Sequence, residues 1–255
     1  MVVPKWETLL KRWYGFSLPD DYLTFDLETT GFRSKTNHLE GYGSDVPVDF
    51  GWRIVRGREV IHRGHYLLDW TRYPEFIERE WLEEQLGRIA YHMGQQNKPW
   101  VYDVPKLEAE GKDPLWVLNF AYELFCANRD SGALFVGHNA LAFDARMLTS
   151  TFEEFLGKEW EFGPEELIDT GSLEKVLGSM QSDDASQHFS PRLGEPMDTF
   201  LRRVSASPRK GITWKLEDCV ERYQLVERHN LDPSMLHGAD TDSHVCHLLL
   251  EDNRE

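Results

Sequence analysis

Residues 22–31 read Tyr-Leu-Thr-Phe-Asp-Leu-Glu-Thr-Thr-Gly, a mostly uncharged run that contains two acids. Residues 22–27 are rich in apolar and β-forming side chains, which predicts a buried strand. Asp26 and Glu28 stand two positions apart, so their side chains point to the same face of that strand. Two such acids repel each other unless a cation lies between them, and their hard oxygen ligands suit Mg²⁺ or Mn²⁺. A strand that ends in solvent would explain the same pattern without a metal.

A second polar segment, Gly-His-Asn-Ala-Leu-Ala-Phe-Asp at residues 137–144, follows another predicted buried strand, residues 133–137. It leads into a predicted helix over residues 144–156. On its own, the segment is explained by helix capping, with Asn139 or Asp144 as the capping residue.

The third polar segment, His-Gly-Ala-Asp-Thr-Asp at residues 237–242, precedes the last predicted helix, residues 240–250. Asp240 is well placed to cap that helix, and a surface histidine is the simple interpretation of His237. By itself, this segment indicates little more than the start of a helix.

Together, the three segments resemble those of the DEDDh family of 3′→5′ exonucleases, the DnaQ-like branch of the ribonuclease-H-like superfamily. The resemblance lies in the residue types, their order and their wide separation, and it covers roughly residues 20–250. Weaker similarities lie at residues 167–170, Leu-Ile-Asp-Thr, and at residues 215–219, Lys-Leu-Glu-Asp-Cys. The chain differs from the family in an extra residue between Asn139 and Phe143, which we expect a bulged turn to absorb.

The resemblance implies both a fold and a reaction. The fold is α/β, with a ribonuclease-H-like mixed central β-sheet flanked by helices in a single domain with loop insertions. The reaction is hydrolysis of phosphodiester bonds at the 3′ end of DNA or RNA, with two Mg²⁺ or Mn²⁺ ions. The implied metal ligands are Asp26, Glu28, Asp144 and Asp242.

His237 is the general base that the resemblance implies, and an imidazole suits that role because it titrates near neutral pH. The family spacing from His237 selects Asp242 rather than Asp240 as the ligand. The family also contacts the terminal nucleotide through the segment after the first acidic pair, with an apolar side chain wedged against the last base. The implied substrate contacts are Thr29, Thr30, Gly31, Phe32, His138 and Asn139.

The domain organisation follows from the same patterns. Residues 1–20 are predicted to be an N-terminal helical extension, with its helix at residues 5–14, and residues 21–255 to be the exonuclease domain. Residues 33–47 have the composition of a loop. The polar stretch at residues 178–212 is predicted to be either an insertion with a function or a mobile loop.

Further elements are predicted from local patterns. Residues 48–56 and 59–68 are two strands that we expect to form a hairpin around Gly57. The stretch from Gly94 to Asp113 has no regular pattern and is predicted to be irregular. Additional helices are predicted over residues 75–92, from Asp113 onward, from Thr170 onward and over residues 214–223.

The formal net charge of −16 bears on the partner. Binding along a nucleic acid depends on cationic contacts to phosphates, so the charge predicts a short or single-stranded 3′ end as the substrate. It also leaves open a metal-dependent phosphohydrolase of small nucleotides. A non-catalytic accessory subunit of a polymerase or repair complex is the other alternative, and both a polymerase partner and a homodimer stay open.

The cellular compartment is predicted from what the sequence contains. Its three cysteines form no C-x-x-C pair, and no apolar run has the length of a signal peptide or of a membrane span. These patterns are typical of a cytoplasmic protein in a reducing compartment with no membrane partner.

Overall fold

Five strands form one mixed sheet in the computed structural model, which describes residues 5–31, 45–163, 165–180, 189–207, 214–232 and 236–254. The central strand β1 pairs antiparallel with β2 and parallel with β4, which confirms the predicted mixed sheet. The order across the sheet is β3-β2-β1-β4-β5. The strands are β1 (Tyr22–Thr29), β2 (Pro47–Arg56), β3 (Glu59–Leu67), β4 (Leu134–Gly137) and β5 (Leu167–Asp169).

Strands β2 and β3 form the predicted hairpin. Its turn residues Gly57 and Arg58 both have positive φ, 54° and 73°. Positive φ at both central residues is the geometry of the type I′ turn, which matches the twist of paired strands. The hairpin prediction is therefore confirmed.

Helices flank both faces of this sheet, as predicted. A short 3-10 helix, Trp70–Arg72, follows β3, and one π-helical turn, Phe152–Leu156, follows α5. The α-helices of the described residues are α1 (Trp6–Tyr14), α2 (Arg79–Gln95), α3 (Val104–Glu110), α4 (Pro114–Asp130), α5 (Asp144–Thr151), α6 (Thr170–Met180), α7 (Met197–Ser205), α8 (Leu216–Arg222), α9 (Leu225–His229) and α10 (Ala239–Asp252).

The prediction of an irregular stretch between Gly94 and Asp113 is wrong over Val104–Glu110, which is α3. The Asp103 side chain caps this helix by accepting a hydrogen bond of 2.8 Å from the Lys106 N–H. Pro105 lies in the first turn, where its missing N–H costs nothing. The start signal was present, but a helix of two turns is too short for a hydrophobic period to reveal it.

The alternation of side chains along β1 decides what each face of the sheet carries. Phe25 points to one face and packs edge-on against Phe125 of α4, with ring centroids 5.0 Å apart. Tyr22 points to the other face, and its hydroxyl lies 2.7 Å from Nδ1 of His247 in α10. Asp26 and Glu28 have the same parity as Tyr22, so the two carboxylates lie on the face that α10 covers.

The N-terminal helix packs into the domain core. Trp6 is fully buried, and its Nε1 donates a hydrogen bond of 3.0 Å to Glu174 of α6. Trp13 meets Phe200 of α7 with ring centroids 5.7 Å apart. Helix α7 lies within the predicted 178–212 stretch and buries Phe200 and three other apolar side chains, Met197, Leu201 and Val204.

The remainder of that stretch is only partly described, since residues 181–188 and 208–213 lie outside the described residues. The predicted loop at residues 33–47 is described only from residue 45. Among the described residues, the structure has no helix with the length and apolar character needed to cross a membrane.

Candidate active site

Three carboxylates from distant parts of the chain meet beside β1. Asp26 and Glu28 come from the strand, and Asp242 comes from the first turn of α10. One ligand oxygen from each lies within 4.8 Å of the others. The structure thus brings together three of the four predicted metal ligands.

These carboxylates lie in a partly buried, negatively charged environment. Burial raises the pKa of Asp26 and of Glu28 well above the usual range, and the neighbouring carboxylates raise both further. Burial also raises the pKa of Asp242 to about 7. Burial and mutual repulsion both disfavour the ionised form of these carboxylates, and a divalent cation between them would favour it. Carboxylate oxygens are the ligands that hard divalent cations prefer.

Helix α10 reaches the carboxylates because Gly51 has no side chain. Gly51 pairs with Asp26 across β1 and β2. A Cβ atom at this position would lie 2.1 Å from the carbonyl oxygen of Ala239, the first residue of α10. The backbone of α10 therefore packs directly on β2, and a side chain at position 51 would force the helix away from the strand.

Arg53 fixes the first turn of α10 in its orientation. This arginine is 2 % exposed, and its guanidinium donates to the Asp240 carboxylate at 2.9 Å and to the Ser243 hydroxyl at 2.5 Å. Asp240 is thus engaged by β2, whereas Asp242 faces Asp26 and Glu28. The geometry therefore places Asp242, and not Asp240, beside Asp26 and Glu28, and its role as a metal ligand stays a prediction.

Asp144 approaches the cluster from the start of α5. Its Oδ1 accepts a hydrogen bond of 3.0 Å from the backbone N–H of Leu27, which lies between Asp26 and Glu28 in β1. Burial raises the Asp144 pKa to about 7. This carboxylate is therefore tied to the strand that carries the other acids, and it is one of the charges that raise the pKa of Asp26.

The extra residue before Phe143 is absorbed in a turn, as expected. Asn139 takes a left-handed conformation, with φ 59°. Its carbonyl oxygen accepts hydrogen bonds from the N–H groups of both Ala142 and Phe143, each at 3.1 Å. Asparagine tolerates this conformation better than most residues do, so the turn costs little strain.

Asp169, which carries only a weak similarity in the sequence, holds this turn in place. It is fully buried at the end of β5. Its Oδ1 accepts the N–H groups of Asn139 and Ser172 at 3.0 and 2.9 Å, and its Oδ2 accepts the N–H of Leu141 at 3.0 Å. Asp169 therefore positions the segment that leads to Asp144.

Replacement of Asp169 by Asn should destabilise the protein and lower its activity. An amide places one NH₂ group against an N–H that needs an acceptor, and a buried unsatisfied donor costs about 1–3 kcal/mol. The free energy of unfolding, measured by denaturant titration, should fall by that amount. Asp103→Asn is the matched control, because Asn caps a helix as well as Asp does. Equal stability of the two variants would contradict the role of Asp169.

His237 lies next to Asp242 in a strained backbone conformation. Its φ is 66°, and its backbone N–H donates to Asp242 Oδ1 at 3.3 Å. Burial lowers the pKa of its imidazole, which favours the neutral form that can accept a proton. The residue borders a cavity of about 110 Å³, which Asp49 also lines.

Sequence reasoning missed Asp49, which lies beside the cluster. It pairs with Glu28 across β1 and β2 and is 2 % exposed. Its carboxylate accepts a hydrogen bond of 2.8 Å from the Tyr102 hydroxyl and lies 3.2 Å from Nδ1 of His65. An acid between the apolar Val48 and Phe50 was a usable signal, since Asp is depleted in buried strands.

The predicted substrate contacts are placed as follows. The Thr29 hydroxyl donates to the Gly31 carbonyl at 2.9 Å, and the Thr30 hydroxyl accepts the Val46 N–H at 2.9 Å. Both hydroxyls thus stabilise the chain where β1 ends. Phe32 lies outside the described residues.

The His138 imidazole is engaged at both ring nitrogens. Nδ1 lies 2.9 Å from the Thr170 hydroxyl, and Nε2 lies 2.8 Å from the Trp214 carbonyl oxygen. Burial lowers its pKa to about 4, so the ring is neutral near pH 7. His138 connects the end of β4 to α6 and to the segment before α8. Its contact with substrate stays a prediction, as does that of Asn139.

A larger groove lies away from the carboxylates. Its volume is about 1000 Å³, and its lining includes residues of α4 and α5. Among the described residues that line it, none is Asp26, Glu28, Asp144 or Asp242. The candidate metal site therefore lies on the sheet face that α10 covers, and not in the larger groove.

Comparison with known proteins rests on structure alone, because no protein-family model matches this chain and no curated protein matches it significantly. The chain is similar to Escherichia coli exonuclease I in complex with a dT13 oligonucleotide, with a TM-score of 0.56 and 14 % identity over 91 % of this chain. It is also similar to the zinc-ion-bound form of the E. coli exonuclease I–single-stranded DNA complex, with a TM-score of 0.58 and 14 % identity over 93 % of this chain.

The aligned region spans 40 % of the first structure and 41 % of the second. At this level of identity, the similarity shows the fold. The chain has a mixed five-stranded sheet flanked by helices in one domain, which is the ribonuclease-H-like fold of these exonuclease I structures.

Proposed function

We propose that this protein is a divalent-metal-dependent 3′→5′ exonuclease. The observation that carries the proposal is the meeting of Asp26, Glu28 and Asp242 within 4.8 Å on a ribonuclease-H-like sheet. Asp144 is anchored next to them on Leu27. These residues match the resemblance to DEDDh exonucleases in type and order, and the fold agrees with it.

The roles of the residues follow from their positions. Asp26, Glu28 and Asp242 would hold a first Mg²⁺ or Mn²⁺ ion, and Asp144 would contribute to the site of a second. When bound, the ions would stabilise charge on the phosphodiester as Lewis acids and lower the pKa of the attacking water. His237 accepts the proton of the attacking water, a role that requires the neutral imidazole favoured by its burial.

The substrate that we propose is a single-stranded 3′ end. The two exonuclease I structures described above are complexes with DNA, one with a dT13 oligonucleotide and the other with single-stranded DNA. The net charge of −16 agrees with a substrate held mainly at its end, since a long duplex needs many cationic contacts. The Thr29–Gly31 segment borders the end of β1 and is the proposed contact for the terminal nucleotide.

One experiment tests the reaction and its direction. The protein is incubated with single-stranded and double-stranded DNA and RNA oligomers, each labelled at the 5′ end, with Mn²⁺, Mg²⁺ or EDTA. A ladder of shortened 5′-labelled products that requires a metal is expected, together with release of mononucleotides. A small phosphodiester such as a p-nitrophenyl nucleotide is the parallel substrate. Hydrolysis of that ester with intact oligomers would contradict the proposal in favour of a small-nucleotide phosphohydrolase.

Replacement of His237 by Asn tests the general base. Asn tolerates the left-handed backbone that His237 adopts, so the fold and the contact with Asp242 should persist. We expect kcat to fall by about 10²–10⁴-fold, the usual contribution of a general base, and Mn²⁺ affinity to change little. Calorimetric titration with Mn²⁺ is the control. Unchanged kcat would exclude His237 as the base.

A further inference from the structure

Asp49 is a third carboxylate on the site face of the sheet, beside Asp26 and Glu28, at the position on β2 opposite Glu28. Side chains directly opposite in an antiparallel pair lie about 4.5–5.5 Å apart at Cβ. Asp49 is 2 % exposed, so water screens its charge poorly. A buried charge at such a distance acts strongly on its neighbours.

Two hydrogen-bond partners, Tyr102 and His65, hold the Asp49 carboxylate. Its Oδ2 accepts from the Tyr102 hydroxyl at 2.8 Å, and its Oδ1 lies 3.2 Å from Nδ1 of His65. Asp49 also raises the pKa of the His65 imidazole through this contact. Because each oxygen has a protein partner, the carboxylate is held in place by residues of β3 and of the segment before α3.

The electrostatic effect of Asp49 reaches all three converging acids. Asp49 lies directly opposite Glu28, whose carboxylate oxygen lies within 4.8 Å of those of Asp26 and Asp242, and it lines the same cavity as His237. An arrangement that repels anions attracts cations to the same degree. The fixed orientation keeps this charge near the oxygens that hold the metal in the proposed function.

We infer that Asp49 is a positioning residue, held by Tyr102 and His65, that strengthens divalent-cation binding by the Asp26–Glu28–Asp242 cluster. The inference rests on the proposed function. Asp49 acts through the field that it adds and through its cross-strand neighbour Glu28. The Tyr102 and His65 contacts keep it from swinging toward the ligands and changing their arrangement.

The test is calorimetric titration of the metal-free protein with Mn²⁺. Asp49→Asn removes one charge but keeps an oxygen for Tyr102 and an amide for His65, so it is expected to fold. Its Mn²⁺ affinity should be about tenfold weaker, the size found for residues that support metal ligands from outside the coordination shell. Asp49→Glu, which keeps the charge, should retain most of the affinity. At saturating Mn²⁺, the kcat of Asp49→Asn should return to near the wild-type value, which a structural defect would not allow.

The chain offers a matched control in a second tyrosine–aspartate pair. Tyr73 donates a hydrogen bond of 2.8 Å to Asp113, the N-cap of α4, a helix that carries none of the three converging carboxylates. Asp113→Asn should therefore leave Mn²⁺ affinity unchanged. Equal affinity of Asp49→Asn and the wild type overturns the inference and leaves the exonuclease proposal standing. A wild-type protein that binds no Mn²⁺ overturns both.

Discussion

Replacement of Asp242 by Asn should reduce metal-dependent hydrolysis roughly 10³-fold while making the metal-free protein more stable. Activity should fall because Asp242 is one of the three carboxylates that hold the proposed ion. Such an ion stabilises the transition state by several kcal/mol, and a loss of about 1.36 kcal/mol lowers the rate tenfold. The gain in stability follows because the substitution removes one of several like charges from a buried cluster. The Asn side chain keeps an oxygen for the His237 N–H.

The gain in stability should depend on pH. Burial raises the Asp242 pKa in the folded protein from 3.8 to about 7. Below its ordinary pKa, such a carboxyl group is protonated in both the folded and the unfolded protein, so it does not change the free energy of unfolding. As the pH rises from the ordinary pKa to the folded-state pKa, the group ionises more readily in the unfolded protein, and the free energy of unfolding falls. In EDTA, the melting temperature of Asp242→Asn should therefore match the wild type near pH 4 and exceed it near pH 8. Each kcal/mol of relieved repulsion corresponds to roughly 2–4 °C.

Asp252→Asn is the control for this substitution, since it removes a carboxylate from the last turn of the same helix. Asp252 pairs with Arg228 at the surface, where an ion pair is worth about 0–1 kcal/mol. This variant should keep its activity and should not gain stability at high pH. Full hydrolysis by Asp242→Asn, or a stability difference that does not change with pH, would contradict the assigned site.

Replacement of Gly51 by Ala should have the second large effect, although Gly51 carries no chemistry. The added Cβ would lie 2.1 Å from Ala239 O, 2.2 Å from Ala239 C and 2.6 Å from Asp240 N, which are all backbone atoms. No side-chain rotation relieves such contacts, so α10 must move away from β2. Overpacking of this kind costs about 1–3 kcal/mol or more in the free energy of unfolding. A shift of about 1 Å at Asp242 should lower kcat roughly 10²-fold.

Gly87→Ala is the matched control, because it makes the same chemical change in α2. A Cβ at Gly87 meets nothing within 4 Å, and Ala is favoured over Gly within a helix by about 1 kcal/mol. This variant should be slightly more stable than the wild type and fully active. Denaturant titration and oligonucleotide cleavage measure both quantities. A stable and active Gly51→Ala variant would show that α10 does not depend on this close approach.

The sequence predicted the sheet and the acidic cluster for different reasons. The strand at Tyr22–Thr29 was predictable because its apolar pattern and its two acids are local features. The hairpin at Gly57 was predictable because turn chemistry is local too. The placement of Asp242 near Glu28 was predicted through resemblance, since residues so far apart in sequence have no local signal that they meet.

Other parts of the site could not be predicted from one sequence. Gly51 is an ordinary strand glycine until α10 is seen to rest on it. From the sequence alone, Arg53 would be taken for a surface residue, since arginine is rarely buried without partners. Its partners, Asp240 and Ser243, come from α10, which is distant in sequence. Asp169 resembled the end of a strand, and two of its three backbone hydrogen bonds, from Asn139 and Leu141, exist only once the 139–141 turn lies against it.

The contact between α10 and β1 can form only late in the synthesis of the chain, because the two elements lie near its opposite ends. The helix that supplies Asp242 is synthesised long after the strand that supplies Asp26, and closing so long a chain segment is entropically slow. A nascent polypeptide on the ribosome that has not reached Ala239 leaves Arg53 and the acidic face of the sheet uncovered. Under the proposed function, a chain that terminates before that residue lacks the metal ligand Asp242 and should show no metal-dependent hydrolysis.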